Sequence, residues 1–259
     1  MSSVSISPAL AALAEDPEFF TEPPDGSARH ADEGFCLTIG PHRRWAGVCR
    51  LRLERDPADA VAEVQRLTAG VDSVMWNVGS SATPDELPQR LRALGLRDPD
   101  PPFDPFVAAM ALEHEPPAVD GVEVRRIETL EEHLAGLEIV LTSSTWTERA
   151  AAAERERAAE VFERRQRRGG LQWLAYLDDE PIAFAAADRS PAGLYLGGGS
   201  TLPDARGRGC YRALVRARWD EAIRLGLPGL AVQAQYGSSA PILERLGFVE
   251  VATIHTLQS

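Results

Sequence analysis

Six residues, Arg206-Gly207-Arg208-Gly209-Cys210-Tyr211, have the types and spacing to hold a polyanion. Glycines at 207 and 209 let the backbone turn tightly and come close to a ligand. The apolar pattern that follows predicts a helix from near Gly209. Its first amides have no partner within the helix and stand at the positive end of its dipole. Such a junction seats phosphate groups, and Arg206, Arg208 and Arg212 bring further charge. Two phosphate loops are excluded. The nucleotide-hydrolase loop needs a lysine after its last glycine, and all 27 basic residues here are arginine. The dinucleotide fingerprint G-x-G-x-x-G fails at Arg212.

The loop needs a strand to deliver it and a helix to receive it. Leu194–Leu202 reads as that strand, Pro203–Ala205 as a turn, and the helix runs on through Val215. The motif R-x-x-G-x-G/A, with Tyr211 in the last, usually small, position, resembles the pyrophosphate loop of the GNAT acyl-CoA N-acyltransferases. The resemblance extends from Val119 to Ser259. Pro203 precedes Arg206 by three residues, as in the family's approach to its loop. The short strand Leu230–Ala234 follows the helix, and Ala240–Phe248 resembles the family's helix ending in "lY-x-x-l-G-F". Gly247 is a natural helix stop, and Phe248 opens a final strand.

The resemblance implies transfer of an acyl group, most simply acetyl, from acetyl-CoA to an amine of a small molecule by direct attack. The expected cofactor-binding set is Gly199, Thr201, Leu202, Arg206, Gly207, Arg208, Gly209, Cys210, Tyr211 and Ser238. A strand amide near Gly199–Thr201 would face the developing oxyanion. Gly197-Gly198-Gly199 would weaken a plain strand. It is better explained as a bulge, or as a place where the pantetheine arm approaches the backbone. Cys210, inside the loop, reads as a small hydrophobe rather than a nucleophile.

Proton handling departs from the family pattern, because Leu243 stands where a tyrosine usually serves as acid to the thiolate. Tyr195, where some members carry a glutamate base, is the first acid/base candidate, and Tyr236 is the second. Either could instead be a packed ring with a satisfied hydroxyl. Tyr211 falls on a stripe with Val215, Trp219, Ala222 and Ile223, which is core spacing. His30, His42, His114, His133 and His255 show no metal-ligand spacing, with each other or with Cys36, Cys49 and Cys210. No metal is expected. His133, near the acceptor region, could be a base, and a surface histidine is the plainer reading.

A net charge of −12 argues against nucleic acid as a partner; it either attracts a cationic acceptor over distance or, the plainer reading, only aids solubility. No apolar run is long enough to span a bilayer. Met1–Phe20 lacks the basic start of a signal peptide. Unpatterned cysteines point to reduced thiols in a cytoplasm, and a homodimer is compatible with the family resemblance.

The expected fold is α/β (α+β), a GNAT domain with a mixed central sheet flanked by helices over 118–259. Before it stands a divergent, GNAT-like lobe over 1–117, without a phosphate loop; an unrelated α/β cap is the alternative. In that lobe the patterns predict helices over Pro8–Ala14, Pro57–Leu67 (capped by Asp56) and Pro84–Leu94 (capped by Thr83). Strands are predicted over Gly34–Ile39, Trp45–Leu53, Val71–Val78 and Val107–Leu112, with a breaker cluster at 98–102. After a linker at Pro116-Pro117 come the strand Val122–Ile127 and a helix through Leu141. Thr129 and Glu132 form a capping box for that helix. A break at Thr142–Thr147 is followed by a charged helix, Trp146–Arg168, and by the hairpin Gln172–Leu177 with Pro181–Ala187. Two other readings stay open: a non-catalytic acyl-CoA-binding module and a pure interaction scaffold.

Overall fold

The structure is a computed structural model that describes residues 5–101, 103–144 and 146–259. The first four residues of the Met1–Phe20 reading, Pro102 of the breaker cluster and Thr145 of the helix break lie outside the described residues. The chain divides into two compact units, Met1–Leu112 with Ala231–Ser259, and Glu113–Leu230. The sequence partition at 117/118 followed chain order. By packing, residues 231–259 join the first unit.

In chain order the first unit contains α1 (Pro8–Glu15), α2 (Pro17–Phe20), β1 (Ala28–Ala31), β2 (Cys36–Ile39), β3 (Ala46–Cys49), α3 (Pro57–Leu67), β4 (Val74–Val78), α4 (Leu87–Ala93) and β5 (Phe106–Leu112). The second contains β6 (Glu123–Arg126), α5 (Leu130–Ser143), α6 (Glu148–Arg167), β7 (Leu171–Leu177), β8 (Glu180–Ser190), β9 (Gly193–Tyr195), β10 (Gly199–Thr201) and α7 (Cys210–Arg224). The chain leaves the second unit inside β11 (Leu230–Gln235) and continues through α8 (Ala240–Arg245) and β12 (Val249–Gln258).

In the first unit β12 lies between β4 and β5, antiparallel to both. Beyond β4 the order runs β3, β2, β1, with β3 parallel to β4. The core gathers Phe35, Leu37, Val48, Val64, Trp76 and Leu91, together with Leu257 from β12. Asp56 caps α3 through the Ala58 amide at 2.9 Å, as its position before Pro57 predicts. Thr83 does not cap a helix. Its amide donates to the Leu51 carbonyl and its carbonyl accepts from the Leu53 amide, both at 3.1 Å. That pairing holds Thr83 extended, and α4 starts only at Leu87. The edge strand β1, Ala-Arg-His-Ala, carries no apolar alternation and was not foreseen.

In the second unit β6, β7, β8 and β9 pair antiparallel in sequence, and β10 also pairs with β8. Helix α5 covers one face, with Gly136 against the Phe184 ring. Ile127, Ile139, Leu174 and Tyr176 fill the space beneath it, with Phe162, Phe184 and Leu202 alongside. Helix α7 covers the other face. There Glu221 takes Arg126 at 2.8 Å and lies 4.0 Å from Arg189.

The Thr129–Glu132 capping box forms in both directions. The Glu132 amide donates to Thr129 Oγ1 at 3.2 Å, and the Thr129 amide to Glu132 Oε2 at 3.0 Å. Thr129→Ala is expected to destabilise the second unit by about 1 kcal/mol. A lowered midpoint of urea unfolding at unchanged slope would register it. Thr147 accepts from the Ala150 amide, so α6 begins at Glu148, two residues later than its charge pattern suggests.

Candidate active site

The predicted strand Leu194–Leu202 is interrupted. Tyr195 stands opposite Asp188, and Gly199 stands opposite Ala185. Four steps along one strand therefore match three along the other, which is a one-residue bulge. It falls on Leu196-Gly197-Gly198, and Gly198 has φ +71°, where a side chain would be strained. The Ala186 amide still reaches the Gly198 carbonyl, at 3.3 Å. The bulge separates β9 from β10, so the strand changes course before the loop.

After Thr201 the Leu202 amide donates to the Ile182 carbonyl at 3.0 Å, and Pro203–Ala205 form one turn of 3-10 helix. Gly207 and Gly209 follow at φ +78° and +89°, both in the left-handed region. A Cβ on Gly207 would meet nothing within 4 Å, so the backbone there is open to approach. Gly209 is the residue before α7 and offers no side-chain cap to its first amides. Arg206 and Arg208 are exposed on either side. The loop thus presents uncapped amides, a helix dipole and two guanidinium groups together.

Cys210 is buried, and its sulfur faces the Ala205 carbonyl at 3.9 Å. Burial pushes its thiol up from the ordinary range, so it fills the loop's underside. The Tyr211 ring would lie 3.2 Å from a Cβ on Gly199, which ties the helix start to β10. Its apolar stripe needs one correction. Ile223 is exposed, and the position facing the core is Arg218, 1% exposed. Arg218 donates to the Leu214 carbonyl at 3.0 Å and to the Ala186 carbonyl at 3.3 Å. Burial pulls its pKa down to about 10, against the pull of the Tyr211 hydroxyl.

His133 also differs from expectation, being 6% exposed rather than a surface residue. Its Nδ1 pairs with Gln172 Oε1 at 3.2 Å, and its ring tilts against Phe162. Burial holds it below the ordinary histidine range, so it is neutral at pH 7. No group of three or more metal-ligating side chains occurs among the described residues.

Tyr195, Gly199, Thr201, Leu202 and Arg206–Tyr211 lie in the second unit, on one continuous stretch around the bulge and loop. Tyr236 and Ser238 lie on the returning segment in the first unit. The Tyr236 hydroxyl donates to Glu250 Oε1 at 2.6 Å and lies 3.1 Å from Thr253 Oγ1. Burial, then the Glu250 carboxylate, push its pKa up, which makes it a poorer acid. The Ser238 hydroxyl donates to Gln235 Oε1 at 3.1 Å. Leu243 is fully buried.

Sequence reasoning missed Asp188. It ends the apolar run of β8 on the face that carries Phe184 and Ala186, opposite Tyr195. An acidic residue closing an apolar strand beside a glycine cluster is the signal that was available.

Residues 138–248 match the model of the acetyltransferase (GNAT) family. No curated protein matches the chain. Among solved structures, a GCN5-related N-acetyltransferase from Kribbella flavida superposes with TM-score 0.69 at 17% identity, covering 96% of this chain and 95% of that one. A tandem GNAT protein from the clavulanic acid biosynthesis pathway, solved without AcCoA, gives 0.65 at 18% identity, covering 100% and 90%. A GCN5-related N-acetyltransferase from Sphaerobacter thermophilus gives 0.60 at 14%, covering 89% and 81%. These likenesses establish the fold.

Proposed function

We propose, from the match of residues 138–248 to the acetyltransferase (GNAT) family model, that the chain transfers an acetyl group from acetyl-CoA to an amine of a small molecule. The observation that carries this is the loop before α7. Two left-handed glycines open the backbone between exposed arginines, at a helix start with no side-chain cap. Amides of Arg206–Tyr211 would take the pyrophosphate. Backbone groups of Gly199, Thr201 and Leu202 would hold the pantetheine arm, next to a bulge that turns β10 away from β9.

In this reading the neutral amine attacks the thioester carbonyl directly. The oxyanion that develops faces a strand amide near Gly199–Thr201. Collapse breaks the C–S bond, and a thiol of pKa ~8.5 leaves without a dedicated acid. That tolerance accommodates Leu243 where the family's tyrosine would stand. Cys210 takes no acyl group, since its sulfur is buried against Ala205. A charge of −12 suits a small cationic acceptor better than nucleic acid. The three cysteines are free and buried, in keeping with a reducing cytoplasm. No helix among the described residues is long and apolar enough to cross a membrane.

The test is thiol release from acetyl-CoA across a panel of amines, beside calorimetry with CoA. The expected result is CoA binding together with amine-dependent thiol release. Binding without release from any amine would favour the second reading, a CoA-binding module, which the buried Leu243 supports. Absence of binding would remove both.

A further inference from the structure

The proposed reaction needs a final acceptor for the proton of an amine that arrives protonated, which a tyrosine hydroxyl such as Tyr195 can relay but not keep at neutral pH. Asp188 is a carboxylate set beside the bulge. It lies at the end of β8, opposite Tyr195 in the antiparallel register. Side chains opposite one another share a face of the sheet. Its Oδ2 is 3.1 Å from where a Cβ on Gly197 would be. The carboxylate therefore occupies the side-chain space of the bulge, and a larger residue than glycine at 197 would push it aside.

The Asp188 side chain is exposed. The charged groups acting on it are Arg165 and Arg168, from the end of α6. Tyr195 on β9 is the titratable residue opposite it. The neighbouring Arg189 points to the other face, toward Glu221 on α7. The buried His133, on α5 over the same face as Asp188, pairs with Gln172 and is neutral.

We propose that Asp188 accepts the proton of the incoming ammonium, and that the acceptor substrate is accordingly an aliphatic amine, which is cationic in solution. This rests on the acetyl-transfer reading above. Burial of Asp188 moves its pKa up, and Arg165 and Arg168 oppose that move. The result is a carboxylate more basic than an ordinary aspartate.

The N–H bond of R–NH3+ breaks, and its proton passes to the Asp188 carboxylate. The freed lone pair forms the C–N bond, and the C–S electron pair leaves with sulfur. A second amine proton reaches the thiolate through solvent, and Asp188 returns its own proton to solvent. An arylamine is already neutral at pH 7 and needs no such base.

The experiment compares wild type, Asp188→Asn and Asp188→Glu in thiol release from acetyl-CoA. The acceptors are butylamine, spermidine and glucosamine, with an arylamine alongside. CoA affinity by calorimetry serves as the check on folding. For alkylamines, Asp188→Asn is expected to lose about 10²-fold in kcat/KM near pH 7, the low end for general base catalysis. The deficit should shrink toward about pH 10, where alkylamines are increasingly neutral without help. Asp188→Glu should keep part of the rate, arylamine turnover should change little, and CoA affinity should not move.

Asp188→Asn with the wild-type rate and pH profile would overturn the Asp188 role and leave the acetyl-transfer reading standing. A loss equal at every pH and for both amine classes would also overturn it, as the mark of a packing residue. If wild type binds CoA and acylates no amine, the acetyl-transfer reading fails, and the Asp188 role falls with it.

Discussion

Gly209→Asp is expected to abolish CoA binding while leaving the second unit folded. Gly209 precedes α7 at φ +89°, and a Cβ there would lie 3.3 Å from Val119 and 3.4 Å from the Arg212 guanidinium. Aspartate tolerates the left-handed region better than most residues. At this position it is also a preferred helix cap. The left-handed strain costs about 1 kcal/mol and the cap returns only a few tenths of that relative to glycine, so the unit should stay folded with a stability loss of roughly 1 kcal/mol. Binding has no such compensation. The new carboxylate would accept the amides that must receive the pyrophosphate, pair with Arg212, and repel the ligand. Losing two charge-assisted hydrogen bonds costs about 3–6 kcal/mol, or ~10²–10⁴-fold in Kd. Gly209→Asn blocks the same amides without the charge and should lose less. Calorimetry with CoA reads both variants, and unchanged affinity in folded Gly209→Asp would remove the loop from the site.

Tyr195→Phe is expected to lower turnover about 10²-fold near neutral pH. The substitution keeps the ring, so packing on β9 is preserved, and it removes only the hydroxyl. CoA affinity should stay at the wild-type value, because the loop is untouched. The rate should recover in part at high pH, as more amine becomes neutral in solution. If the Tyr195 hydroxyl passes the amine proton toward Asp188, the double variant with Asp188→Asn should be no slower than the worse single variant. Wild-type turnover in Tyr195→Phe would make Tyr195 a structural residue.

What was legible in the sequence was local. The Thr129–Glu132 box, the Asp56 cap and the glycines of the loop act within a few residues, and all three form as read. The Gly197-Gly198-Gly199 bulge was also legible, because glycine has few other reasons to crowd a strand. What was not legible depends on partners distant in the chain. Thr83 looked like a helix cap until Leu51 and Leu53 claimed its backbone. His133 looked exposed because its partner Gln172 is remote in sequence. Arg218 was singled out by no local signal, yet it spans from α7 to the Ala186 carbonyl. The Asp188–Tyr195 pairing depends on a strand register that the bulge shifts by one residue. Composition alone could not place that shift.

The returning segment bears on how such a chain is made. Residues 249–258 follow every other described element, yet they fill the space between β4 and β5. During synthesis, then, the unit begun first is the one completed last. Residues 113–230 have all emerged by the time its sheet can close, whereas β4 and β5 wait with unpaired edges. Exposed strand edges of that kind are where nascent chains aggregate. The family match ends at Phe248, immediately before this strand. A fragment cut to carry 118–259 alone would thus bring along a ten-residue strand with neither of the neighbours it was shaped to join.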